Sequence, residues 1–285
     1  MKRLIFELME DAEKRLRDFG DPDEDIHEVR KNFKKIRALL RLVRKDTGEE
    51  AYKEANIAFR DAGRKLSAVR DSLVLYEMVK ELGERRRELF ANEGFVALGP
   101  ILKARHGRLL QEFRKEQQGR EQVMATLDEM QASIDALPVG SKDFGAFYGG
   151  VKKVYKRGRK AATTARNEPS TEKLHDWRKR TKYLYYIMGY LRYLWPGELK
   201  AFEATLGELA DLLGADHDLA VLCHTLEKEP ALQHPEKQQL LSGLISRERL
   251  GKQEQLWPLA HRLFKETPGQ ITNRLAAYWE AVKME

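Results

Sequence analysis

A chain of 285 residues, 42% of them hydrophobic, can bury a substantial core, either as one large unit or as two halves. Charged residues make up 34% and the formal net charge is +7, a moderate basic bias that favours anionic partners. The single cysteine, Cys223, excludes a disulfide framework and a thiolate metal site, and no apolar run approaches the roughly 20 residues of a membrane span.

The chain opens as MKRLIFELMEDAEKRL, which starts like a signal peptide but meets acidic residues by Glu7. An amphipathic helix is expected instead, in a soluble cytoplasmic protein. Its apolar stripe is Ile5, Leu8, Met9, Ala12, Leu16 and Phe19, closed by Gly20. Asp21-Pro22-Asp23-Glu24 then starts a second helix, with Asp21 as N-cap, Pro22 at N1 and Glu24 at N3. This helix should run to about Lys45, with Val29, Phe33, Ile36, Leu40 and Val43 on its apolar face and Thr47-Gly48 after it. A third helix is read from Glu50 to about Lys65 and a fourth from Ser67 to Leu82. Another covers ILKARHGRLLQEF, and an amphipathic helix follows from Gln117 to Leu137. Pro138-Val139-Gly140-Ser141 is the best linker, dividing the chain into residues 1–138 and 139–285.

The second half replays the order. Phe147 to Ala165 reads as a cation-rich helix whose Gly158 and alanines would let a neighbour approach closely. Glu168-Pro169-Ser170-Thr171 opens the next helix and Trp195-Pro196-Gly197 ends it. Glu198 to Leu213 follows with Gly214 as C-cap, and Asp216 starts a separate helix through DHDLAVLCHTL. Helices near Pro235 to Phe264 and Pro268 to Val282 finish the chain. Strand signals are scarce, so the fold class is all-α.

An internal repeat organises this series. His27, Arg30, Lys31 and Lys34 recur as His175, Arg178, Lys179 and Lys182, at an offset of 148 residues. Arg70-Asp71-Ser72-Leu73-Val74-Leu75 recurs as His217-Asp218-Leu219-Ala220-Val221-Leu222, at an offset of 147. Residues 3, 4 and 7 apart share one face of a helix. Each His-led helix therefore buries one side and carries a cationic stripe on the other, and two stripes suit a polyanion. Two related helical bundles about a pseudo-two-fold axis, with a basic cleft or pore between them, are the expected architecture.

The motifs HxxRKxxKxxR, HxxRKxxKYL, RDSLVL, HDLAVL and YKRGRKA together resemble the CHAD domain, the conserved histidine α-helical domain, over essentially the whole chain. The resemblance implies a single domain over 1–285 with an all-α fold of two bundles. It also implies binding of inorganic polyphosphate, beside polyphosphate granules or polyphosphate-metabolising enzymes. The chain departs from strict symmetry where His217 answers to Arg70 and where Tyr183 and Tyr185 answer to Lys35 and Arg37.

A linear phosphate polymer offers charge but no sequence to read, so recognition rests on repeated cation–phosphate contacts and is strongly salt-dependent. Arg supplies a planar fork and Lys a mobile point charge. A histidine beside phosphate should titrate upward, because the anion favours its charged form. The candidate contacts are His27, Arg30, Lys31, Lys34, Arg37 and Arg41 on the first stripe and Arg70 on the helix after it. On the second half they are His175, Arg178, Lys179, Lys182 and His217, with Lys152, Lys153, Lys156, Arg159 and Lys160 as a neighbouring wall. Arg70 and His217 are read as opening their helices, where a cation faces an unfavourable dipole unless an anion sits there. Asp71 and Asp218 cap or orient these residues. Arg105, His106 and Arg108 extend the basic surface or simply face solvent, and Arg85–Arg87 have no repeat partner. Tyr183, Tyr185 and Tyr186 read as core, and Cys223 as a small buried hydrophobe rather than a nucleophile.

No P-loop, HExxH or convergent acidic cluster points to an enzyme, so no catalytic residue, metal or cofactor is expected. A metal or phosphohistidine site using His217 or its neighbours is the rival enzymatic reading. Nucleic acid is a second rival, with no named reading module behind it. A basic face docking an acidic protein is a third.

Overall fold

The computed structural model describes residues 1–92, 95–115, 118–138, 144–228 and 235–284. Among the described residues every regular element is a helix. The expected linker at 139–141 lies outside them.

Helix α1 (Lys2–Asp18) buries Ile5, Met9, Ala12 and Leu16. It is closed not by Gly20 but by Phe19, which takes the left-handed conformation at φ 42°. A non-glycine residue tolerates that φ only when its surroundings hold it there. The Phe19 ring meets Phe113 at 6.0 Å, and its N–H bonds Arg15 O. Helix α2 (Pro22–Leu42) starts as its cap residues dictate, the Asp21 carboxylate accepting from the Glu24 N–H. Ile26, Val29, Phe33, Ile36, Leu39 and Leu40 form its buried face.

α2 ends three residues earlier than its periodicity predicts, followed by the single turn α3 (Arg44–Thr47) and Gly48 at φ 79°. A close approach marks the spot. A β-carbon on Gly150, in α9 (Gly145–Asn167), would stand 1.9 Å from the Leu42 carbonyl oxygen. Only glycine lets the two backbones meet there.

Helices α4 (Glu49–Lys65), α5 (Ser67–Arg85), α6 (Arg87–Asn92), α7 (Leu98–Lys115) and α8 (Gln118–Asp135) complete the first half. In the second half α10 (Thr171–Leu191) begins at Ser170, whose hydroxyl accepts from the Lys173 N–H at 3.2 Å. Then come α11 (Pro196–Glu227), α12 (Pro235–Leu263) and α13 (Pro268–Met284).

The expected break at Gly214 does not occur, so His217 lies deep inside a helix and only Arg70 stands in a first turn. α11 runs 32 residues, roughly 48 Å, through Gly214 and Asp216. A mid-helix glycine costs about 1 kcal/mol relative to alanine. Tertiary bonding overrides that cost. Asp216 is fully buried and takes Arg249 of α12 at 3.0 and 3.3 Å and Gln253 at 2.7 Å. The first repeat is divided between α4 and α5, whereas its counterpart is this one rod.

Apolar side chains gather in three clusters. One joins α1, α2, α4 and α8. A second joins α9 to α13 and also takes Ala38, Leu42 and Val43 from the end of α2. The third packs α5, α6 and α7 against the far end of α11 and the start of α12. α2 and α11 therefore each root in two clusters, and α2 lies against α10. That contact brings the two His-led helices together.

Candidate functional site

Between α2, α4 and α10 lies a cleft of about 420 Å³. α2 contributes Arg30, Lys34 and Arg37, and α10 contributes His175, Arg178, Lys179 and Lys182. α4 adds Arg60 and Arg64, and Ser67 opens α5 at the rim. Phe33, Phe59, Tyr183 and Tyr186 form the apolar lining. Among the described residues no carboxylate lines this space itself, although acids outside the lining lie within ion-pair distance of five of its eight Arg and Lys side chains: Asp71 of Arg30, Asp61 of Arg60 and Arg64, Asp176 of Lys179 and Asp211 of Lys182.

The cations are held to different degrees. Arg30 is the most fixed: it donates to Gly63 O at 2.7 Å and to Ser67 Oγ, and lies 3.6 Å from Asp71. Burial pushes its pKa down, against the pull of Asp71. Arg37 donates to Asn56 Oδ1 at 3.2 Å. Arg41 donates to Arg37 O and lays its guanidinium 3.8 Å from the centre of the Tyr183 ring, a cation–π contact on the cleft's edge. Tyrosine at the position answering to Lys35 thus seats a cation, Arg41, which itself falls outside the cleft lining.

Lys34 is open to solvent along the cleft mouth and enclosed by protein on its other sides. That enclosure first, and then Arg30, Arg178 and Lys182, pushes its ammonium down to about 8. Lys182 reaches Asp211 at 3.1 Å and Lys179 reaches Asp176 at 3.4 Å, both as partly exposed pairs. Arg178 packs along Gly214, within 3.7 Å of where a β-carbon would stand, and its Nε is buried without a partner.

His175 stacks on His217 of α11 with ring centres 4.1 Å apart. Nδ1 of each is buried with no hydrogen-bond partner. Burial pushes both pKa values down to about 4, helped at His175 by His217 and at His217 by Arg178. Both rings are therefore neutral at pH 7. Asp218 next to them is pushed up, first by burial and also by the negative charge of Asp71.

Other candidates fall outside this lining. His27 is 40% exposed and lies 4.0 Å from Glu28; burial and Arg70 push it down. Lys31 pairs with Glu28. Lys152, Lys153, Lys156 and Lys160 face solvent on α9, because that helix buries its other side, with Val151, Val154 and Tyr155, against α10 and α13. Arg159 lines a different groove.

His106 does not extend the basic surface. It is buried, bridging Ser72 Oγ at 3.0 Å and Asp23 at 3.2 Å. Arg85 and Arg86 pair with Glu248 of α12. Cys223 is half-buried, 3.7 Å from Glu227 and from Ser242. Sequence reasoning missed Arg60, Arg64 and Ser67, which have no counterpart in the repeat. Their i, i+4 spacing was the available signal.

Among the described residues no three His, Cys, Asp or Glu side chains converge as metal ligands would, and no helix is long and apolar enough to cross a membrane. A family model for the CHAD domain matches residues 3–227, a span that includes every residue of the cleft lining. No curated protein matches the chain.

Proposed function

The chain belongs to the CHAD domain family, and from that premise we propose that it binds inorganic polyphosphate along the α2/α10 cleft and performs no catalytic step of its own. The observation that carries this reading is the meeting of two cationic stripes in one cleft whose lining holds eight Arg and Lys and no acid, with Arg178 Nε and His175 Nδ1, on two of its lining residues, left unpaired. A buried donor left unpaired costs on the order of 1–3 kcal/mol. Phosphate oxygens are hard, multidentate acceptors that would satisfy such groups and relieve the mutual repulsion of Lys34, Arg30 and Arg178.

The proposed division of labour follows from how each side chain is held. Arg30 is a fixed guanidinium anchored to Gly63, Ser67 and Asp71. Lys34, Lys179 and Lys182 are point charges, the last two lightly held by Asp176 and Asp211, and Arg178 offers the unpaired edge of its fork. Nothing in such a set reads a base or a side chain, which suits an unbranched repeat of one anionic unit. Recruitment to polyphosphate granules or to enzymes that make or cut the polymer would then follow from binding alone. An enzyme would require an activated nucleophile or a metal-held water, and the cleft brings together donors instead.

Equilibrium binding of long-chain polyphosphate, with DNA and RNA of equal charge as competitors at fixed salt, tests the reading. Tight polyphosphate binding that nucleic acids displace poorly supports it. Equal competition by nucleic acid, or phosphate release from tripolyphosphate that depends on His175, would replace it.

A further inference from the structure

A second groove, of about 310 Å³, lies between α9 and α12 and adjoins a recess of about 400 Å³ along α12. Spaces of this size fall within the roughly 300–1,000 Å³ of small-molecule sites. The groove shares no lining residue with the α2/α10 cleft. Half of it is built from α12, beyond the span 3–227 that the family match covers.

Its floor is aromatic. Trp177 covers one face of Trp257, the ring centres 5.4 Å apart and the planes 13° from parallel. What Trp257 presents to the groove is therefore its other face or its edge. Phe264 is held against Tyr155 at 5.5 Å, and Gly158 leaves it room, since a β-carbon there would stand 3.1 Å from the ring. The Tyr155 hydroxyl donates toward Leu263 O and Glu266 O, at 2.9 and 3.0 Å, and fixes the end of α12 against α9.

Its rim is cationic. Arg159 and Arg166 come from α9, His261 and Lys265 from α12 and the turn after it, and Arg262 edges the recess. Among the described residues none of these five has a carboxylate within ion-pair distance, although neighbouring cations do: Arg274 holds Glu266 at 2.7 Å and Lys173 holds Glu168 at 3.7 Å. An indole shelf ringed by unpaired cations suits a ligand that is flat and aromatic at one end and polyanionic at the other.

We propose that the α9/α12 groove binds a nucleotide carrying two or more phosphates, its base stacked on Trp257 and its phosphates held by Arg159, Arg166 and Lys265. Bare phosphate would use the rim and leave the aromatic floor without a role. This site is separate from the polyphosphate reading of the main cleft and stands or falls independently of it.

Titration of the full chain with ADP, pyrophosphate and adenosine, followed by tryptophan fluorescence and calorimetry, tests the proposal. ADP should bind about tenfold or more tightly than pyrophosphate, the margin that stacking one base supplies. It should also quench fluorescence. The exposed double variant Arg166→Ala/Lys265→Ala should weaken ADP about tenfold while leaving tripolyphosphate binding at the main cleft unchanged. Trp257→Leu should abolish the preference for ADP over pyrophosphate. Trp257→Phe should keep part of it, which separates lost stacking from lost folding. Equal affinity for ADP and pyrophosphate overturns the proposal. So does ADP binding that survives Arg166→Ala/Lys265→Ala and vanishes instead in Lys34→Ala/Arg178→Ala/Lys182→Ala.

Discussion

His175 of α10 and His217 of α11 stack at 4.1 Å with their planes inclined by 32° and both Nδ1 atoms unpaired. Two imidazoles held this way cannot both be charged cheaply, and burial and nearby cations set their pKa values at about 4.

Stability should depend on this pair in acid. In the unfolded chain both histidines protonate near 6.5, while the folded protein resists until about 4. The unfolded state then binds more protons, so stability falls as pH drops through that window and is fully present above it. Shifts of this size are worth up to about 3 kcal/mol for each ring, but both are part-exposed and solvent screening brings the expected loss across the window down to about 2 kcal/mol. Urea unfolding at pH 7, 5.5 and 4.5 measures it, and His217→Gln should flatten the profile. A profile unchanged by that substitution would show that the pair contributes nothing to acid sensitivity.

Polyanion binding should take up protons. Phosphate beside His175, His217 and Lys34 favours their charged forms, so the depressed pKa values of the free protein rise on binding. Calorimetry at pH 7.5 in buffers of different ionisation enthalpy should report net proton uptake, and affinity should increase from pH 8 to pH 6. Proton release, or no linkage at all, argues against phosphate contact with these groups.

The cations should divide into binding and building roles. Lys34→Ala/Arg178→Ala/Lys182→Ala should weaken polyphosphate binding about 100-fold at 0.1 M salt. It should also reduce the slope of log K against log salt by about 2, near 0.7–0.9 per lost contact. Arg30→Ala is different, because Arg30 also ties α2 to Gly63 O and Ser67 Oγ and faces Asp71. It should cost about 2 kcal/mol of stability as well as affinity. Thermal melts alongside the salt titrations separate the two effects.

Gly150→Ala should be among the most damaging single-atom additions in the chain. Its methyl would meet Leu42 O at 1.9 Å, and the neighbour is backbone, which cannot swing aside. A loss of about 3 kcal/mol is expected. Gly158→Ala faces only the edge of Phe264 at 3.1 Å and should cost less. Denaturant midpoints for the two variants rank them.

Local chemistry was readable without coordinates. The cap at Asp21, the helix start at 168–171, the 3.6-residue stripes of α2 and α10 and the repeated His-Arg-Lys-Lys pattern depend on residues within two turns of one another. The passage of α11 through Gly214 was not readable, because Asp216 is held by Arg249 and Gln253, more than 30 residues away. His106 looked like surface for the same reason: its partners, Asp23 and Ser72, come from other helices. The α9 lysines were assigned to the site by their place just before the second stripe. The packing of α9 on α10 turns them outward. Arg60 and Arg64 join the cleft although no repeat marks them.

Because α2 and α11 each sink their two ends into different hydrophobic clusters, neither can pivot without tearing one anchorage loose. α2, one wall of the cleft, thus behaves as a fixed gauge and not a hinge. If the cleft takes a polyanion as proposed, the guest chain would have to conform to that wall, and selectivity would become a question of girth and suppleness as much as of charge.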